Sequence, residues 1–239
     1  MDPQRRPSWS LFFNAECAVA AHSRPTLGST NTTMRTPQSV NSLEELGRVR
    51  LSANFFMRDF LYSEIGNFYG RPNVPQDPDL TISVGKKLCE ELLEPLQATF
   101  GRVAIRSAYR SEDINALGNE KGHNCGSNES NYAAHIWDRR DSEDMSGAMA
   151  CIVLPWFTDQ YEKGADWRSI AYWIHDHLPY SQLQFFPKLC AFNIGWHEKP
   201  KRTVYSFIDP KGLLFRGAPE EAGYKSRYEG FPALVRSAA

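Results

Sequence analysis

Residues 103–153 read VAIRSAYRSEDINALGNEKGHNCGSNESNYAAHIWDRRDSEDMSGAMACIV, and the fold turns on this stretch. It opens with a short apolar alternation, Val103, Ile105 and Ser107, and closes on an apolar run, Ala150 to Leu154. Both ends read as strands. Between them Asn, Ser, Gly, Asp and Arg dominate, with two histidines and a cysteine. A compact domain rarely carries so long a polar connection unless it is a working loop. Polar loops held by strands at both ends are where sites sit.

Upstream, Leu80, Val84, Leu88, Leu92 and Leu96 recur at helical spacing and end at Gly101, with Pro95 expected to kink or shorten the helix. Ser42 and Glu45 match a capping box that would start a short helix. A second helix is expected from Asn54, with Phe56, Phe60 and Leu61 on one side, and residues 71–79, with three prolines, form a loop. Downstream, Trp167 to His177 is amphipathic. Gln182 to Phe186, Ala191 to His197 and Thr203 to Ile208 are aromatic and β-branched, which predicts a small antiparallel meander. Strands and helices cluster rather than alternate, so the expected class is α+β, a small antiparallel sheet with flanking helices.

Three regions are expected: an N-terminal arm over residues 1–40, one domain over 41–217, and a polar tail over 218–239. Arg5 and Arg6 before the mildly apolar run Leu11 to Ala21 faintly echo a secretory signal. Asn14 and Glu16 interrupt that run, which argues against export and for a cytoplasmic or phage-associated setting. Residues 29–40 read as a flexible linker.

With 41% hydrophobic and 13% aromatic residues, the chain can bury a real core. A formal net charge of -1 argues against a general nucleic-acid binder, and no apolar run has the length of a membrane span. The five cysteines form no CxxC pair, so neither a zinc ribbon nor a disulfide framework is expected, and buried free thiols are the plain reading.

His135 follows a Gly/Asn/Ser loop, and His197 ends a predicted strand. Two histidines brought to one sheet edge are what a zinc site requires, with a third protein ligand and a water. Asp138, Asp141, Asp144 and Cys151 are the candidates for that third ligand. Arg110 opens the polar loop, where its fork suits a substrate carboxylate; an ion pair with Glu112 or Asp113 is an equal alternative. His175 and His177 have the look of a metal pair, but i and i+2 on a helix point apart, and a cation near a helix C-terminus is the simpler account.

Several of these blocks resemble the zinc D-alanyl-D-alanine carboxypeptidases and their hedgehog-like peptidoglycan-peptidase relatives, over roughly residues 52–212. Asn54-Phe-Phe-Met-Arg-Asp-Phe resembles the family's opening helix, and Leu92-Leu-Glu-Pro-Leu-Gln-Ala-Thr-Phe-Gly the helix before its first strand. Ile105-Arg-Ser-Ala-Tyr-Arg-Ser, followed by Asn115, is close to S-G-Y-R-S-x-x-x-N, which implies that Arg110 and Asn115 contact substrate. In S-x-H-x-x-G-x-A-x-D, which supplies two zinc ligands, His135 fits the histidine and Gly147-Ala-Met-Ala-Cys the second half, after an insertion. Trp196-His197 resembles the block carrying the third ligand.

Cys151 stands where the family has its aspartate, Gly195 stands two before the last histidine, and the glutamate base has no clear counterpart. The resemblance implies a zinc metallopeptidase acting on cell-wall (D-Ala-containing) or other small peptides. Its metal would be held by His135, His197 and Cys151 or an aspartate, and Asp138 or Glu198 would move the proton. A non-catalytic module of the same fold, binding wall peptide or a partner, is the second reading. A thiol enzyme using Cys151 with His135 is the third.

Overall fold

A computed structural model describes residues 33–235. The expectations for residues 1–32, the signal echo and most of the arm, lie outside that range. Six strands form one sheet in the order β1-β2-β4-β3-β5-β6: β1 Ala104–Ser107, β2 Gly147–Val153, β3 Gln182–Phe185, β4 Phe192–His197, β5 Thr203–Ser206 and β6 Gly212–Arg216. All pairings are antiparallel except β3 with β5. The sheet is therefore mixed, not the simple meander expected from sequence, and β6 lay in a stretch with no clear alternation. The class, α+β with a largely antiparallel sheet and flanking helices, is as expected.

One face of the sheet is apolar throughout. Ala148, Ala150 and Ile152 of β2, Phe192 and Ile194 of β4, Leu183 and Phe185 of β3 and Val204 of β5 are all fully buried on it. Helices α4 (Pro78–Leu88), α5 (Glu94–Phe100) and α9 (Trp167–His177) belong to the same core. Trp167 of α9 packs its ring against Phe185, and Tyr172 stacks on Phe215 of β6. Burying a Leu- or Phe-sized side chain contributes ~1.5–3 kcal/mol, so this layer dominates stability.

The long helix departs from expectation at Pro95. Instead of breaking, α4 widens into a π turn over Cys89–Leu93, and α5 restarts with Pro95 in its first turn. Proline is tolerated there because its missing N–H needs no partner. A π turn adds the residue that realigns the two helices. Leu88, Leu92, Leu93 and Leu96 all remain fully buried.

Other elements shift in identifiable ways. Helix α1 (Val40–Gly47) is capped by Ser39, with Ser42 closing the box three residues earlier than Ser42–Glu45 would place it. Residues before it already pack: the Met34 N–H donates to Asp79, and Thr36 donates to the Gln76 carbonyl. The ordered domain thus begins before residue 41. No helix starts at Asn54; its N–H and side chain donate to the buried Glu94 carboxylate, and only α2 (Arg58–Leu61) and α3 (Glu64–Tyr69) follow.

The polar loop contains α6 (Glu112–Glu120) and α7 (Asn128–Asn131), and α8 (Pro155–Glu162) follows β2. The C-terminal segment is not a loose tail up to residue 235. Tyr224 and Tyr228 donate to Asp176 of α9, and the Phe231 ring packs against Phe100, Trp156 and Phe157. Cys89, Cys151 and Cys190 are buried free thiols, as expected, and Cys125 is half-buried. Among the described residues no helix is long and apolar enough to cross a membrane.

Candidate functional site

The second face of the sheet carries the site. Antiparallel partners share a face, so the register places Ser107, Cys151, Asn193, Gln184, Tyr205 and Leu213 in one row across all six strands. A slip between Ile105 and Ser107 turns Arg106 outward at the end of β1. The chain between β1 and β2 folds back over this face and closes a cleft of about 430 Å³. Glu64, Arg106, Arg110, Cys125, His135, Cys151 and Asn193 line it, together with Phe186.

His135 is held firmly. Its Nδ1 lies 2.8 Å from the Ala108 carbonyl, which can only accept, so Nδ1 carries the proton and Nε2 keeps its lone pair. Its own carbonyl accepts from the Arg110 N–H at 2.8 Å, which locks the histidine turn to the end of β1. Burial, then the nearby Arg110 charge, pushes the imidazole pKa down to about 3, so it is neutral at physiological pH.

Arg110 is the unusual group. Its side chain is half-buried and its Nε is sealed from solvent with no hydrogen-bond partner. Nη1 donates to Cys125 Sγ at 2.7 Å. Among the described residues no carboxylate comes within ion-pair distance of it. The ion pair that competed with substrate binding in the sequence reading is not formed. Glu112 instead pairs with Arg139 at 2.7 Å and accepts from Tyr132.

Across the cleft, burial pushes the Cys151 thiol up to about 11, against the opposing pull of Arg106 and Arg110. Burial thus favours the neutral thiol at neutral pH, which weighs against the thiol-enzyme reading. Asn193, directly opposite it, donates to Gln184 at 2.9 Å.

The remaining sequence candidates lie elsewhere. His197 pairs with Gly147, four residues along β2 from Cys151, which is roughly 13 Å at ~3.3 Å per residue. Its Nδ1 accepts from the Lys199 N–H at 3.0 Å, and its Nε2 lies 3.1 Å from Asp141 Oδ2, so both ring nitrogens are engaged. Asp141 also accepts from the backbone of Glu143 and Met145. Asp144 is exposed on a turn with φ 59°.

Asp138 is buried apart from the cleft, accepting from Gln76 N–H at 2.7 Å and the Tyr109 hydroxyl at 3.0 Å, and burial raises its pKa. Glu198 accepts from Ser146 N–H and faces Arg140. Asn115 is fully buried and bonds Gly126 and Asn128, so it holds the turn after Cys125 rather than a substrate. His175 and His177 are structural: the first lies beside the Tyr180 hydroxyl, and the second stacks on Trp173.

His135 and Cys151 thus share the cleft, but His197, Asp138, Asp141, Asp144 and Glu198 do not line it. Among the described residues no group of three His, Cys, Asp or Glu side chains is disposed to hold a metal ion. The residues present do not fit the three-ligand zinc centre that the resemblance implied. Sequence reasoning passed over Asn193, which period-2 alternation from His197 puts on the site face. It also passed over Cys125, whose loop position carried no periodic signal.

Comparison with protein-family models, with curated proteins and with solved structures returns no match.

Proposed function

We propose that this chain is a binding module whose cleft takes the terminal carboxylate of a peptide, on a frame resembling the D-alanyl-D-alanine peptidases. One observation carries the reading: among the described residues Arg110 makes no ion pair in the cleft, its Nη1 held only by Cys125 Sγ, although the Glu64 carboxylate lines the same cleft beyond ion-pair distance. A cation partly removed from water is costly until paired. A carboxylate can meet that need at the guanidinium nitrogens that remain accessible, since the sealed Nε is out of a ligand's reach, and each charge-assisted bond contributes about 1.5–3 kcal/mol. Asn193 adds an amide, and neutral His135 offers an acceptor at Nε2. A peptide of the cell wall, ending in D-alanine, is one ligand of this chemistry.

The test is calorimetric titration with acetylated peptide acids and their C-terminal amides. The acids bind, the amides do not, and Arg110→Gln loses the acids while its melting curve stays cooperative. Equal binding of acid and amide overturns the reading.

A zinc peptidase stands as the second reading, on the observation that His135 presents a neutral Nε2 into the cleft that Cys151 also lines. It requires a further ligand. About one zinc per purified chain, lost in His135→Ala together with hydrolysis of the peptide acids, would establish it in place of the binding module.

A further inference from the structure

We infer that the carboxylate cleft is one end of a longer peptide-binding surface, and that it selects an extended peptide with an aromatic or large apolar side chain a few residues before its free C-terminus. The inference rests on the reading of Arg110 as the carboxylate anchor. It goes further by placing the rest of the ligand.

The row that crosses the sheet continues past the cleft. From Cys151 and Asn193 it runs through Gln184 to Tyr205 and Leu213 at the far edge. There apolar side chains lie open: Tyr205 is 38% exposed, Phe207 46% and Leu213 57%. Phe186 joins the two zones, since it lines the cleft and also stacks on Phe207 with centroids 5.3 Å apart. Phe207 in turn meets the Tyr205 ring edge-on at 5.1 Å. An unbroken aromatic path therefore leads from the Arg110 cleft onto open sheet.

Single exposed apolar residues are ordinary on a protein surface, but a contiguous set rimming a polar cleft marks a contact surface. Its dimensions fit a peptide crossing the strands. Three strand spacings separate β2 from β5, about 14 Å at ~4.8 Å each, which an extended chain covers in about four residues. Besides Gln184 and the Tyr205 hydroxyl, the platform side chains Phe186, Phe207 and Leu213 are hydrocarbon, and Phe186 and Phe207 turn faces on one another at 8°. That suits packing of a hydrophobic side chain better than the dense hydroxyl bonding of a sugar.

The experiment titrates the full chain with two acetylated pentapeptide acids, identical except for Phe or Gly at the first position, four residues before the C-terminal one. In the wild type the Phe peptide binds about tenfold more tightly, the gain expected from burying roughly 50–60 Å² of apolar surface. Tyr205→Ala with Phe207→Ala abolishes that gain and leaves the Gly peptide unchanged, and Leu213→Asp, a single edge substitution, reduces it. Arg110→Gln removes binding of both.

Equal affinity for the two peptides, with Arg110-dependent binding intact, overturns the platform while the carboxylate reading stands. A gain that survives both platform variants overturns it equally. Tyr205-dependent binding of a peptide-free glycan oligomer would replace the peptide with a sugar. Failure of both acids to bind removes the anchor and the platform together.

Discussion

Replacing Arg110 by Met separates a binding group from a structural one. Arg110→Met keeps the unbranched stem and removes the charge. On the debit side the fold loses the bond to Cys125 Sγ, a contribution of about 1 kcal/mol. It gains relief from a sealed, unpartnered Nε, whose desolvation costs about 1–3 kcal/mol. The balance predicts a ligand-free chain more stable by about 1 kcal/mol, or a melting temperature higher by roughly 2–4 °C for a domain of this size. Carboxylate binding should vanish at the same time. Stability traded for function in this way is characteristic of a site that holds an unsatisfied charge for its ligand. Urea denaturation gives the stability, and calorimetry with the peptide acid gives the binding. A loss of several kcal/mol on Arg110→Met would show that the guanidinium holds the fold together, and the anchor argument would fail.

Gly147→Ala should destabilise the chain by about 1–3 kcal/mol or more, because the new Cβ would meet the Ala133 carbonyl at 2.3 Å and the Trp196 carbonyl at 2.9 Å, both backbone. Gly195→Ala, which meets only the flexible end of Met149 at 3.1 Å, should cost well under half as much, and urea midpoints of the two variants test the contrast. His135 is less basic folded, at about 3, than its ordinary 6.5, so the unfolded chain binds more protons between those values. Stability should therefore fall as pH drops below 6.5, by at most about 1.4 kcal/mol per unit, and His135→Gln should flatten that slope in pH-dependent denaturation. His197→Ala should lower stability by about 1–3 kcal/mol through loss of the Asp141 and Lys199 contacts, yet leave peptide-acid affinity unchanged in the same titration.

Periodicity revealed elements wherever a segment had one clear face. The leucine repeat of α4 and α5, the amphipathic α9, and the aromatic strands β3, β4 and β5 were legible because burial on one side writes a period into the sequence. Segments governed by local hydrogen bonding were not. Asn54 looks like a helix cap but is tied to Glu94, forty residues away, and Ser39 rather than Ser42 caps α1. Short α6 and α7 hid in polar sequence, and α8 is a mixed eight-residue segment with a single buried side chain, Phe157, too few to write a period. For the site, Arg110 and His135 were legible as residues beside strand ends. The neighbours of each were not, since Asn193 joins Cys151 only through a register that pairs residues 42 apart in sequence.

That register also keeps His197 away from the cleft that His135 and Cys151 share. To bring His197 beside Cys151, β4 would have to slide four residues along β2. A slip of one or three would turn Phe192, Ile194 and Trp196 out of the core, so only even slips keep the apolar face. A slip of four would draw His197 away from Asp141. It would also leave half of the six-residue β4 unpaired with β2. The same hydrophobic pattern that builds the sheet thus keeps the two histidines apart. The cleft holds a fixed neutral imidazole, the Cys125 and Cys151 sulfurs, an amide, the guanidinium groups of Arg106 and Arg110 and one carboxylate, Glu64. That set suits recognition of an anion better than activation of a water.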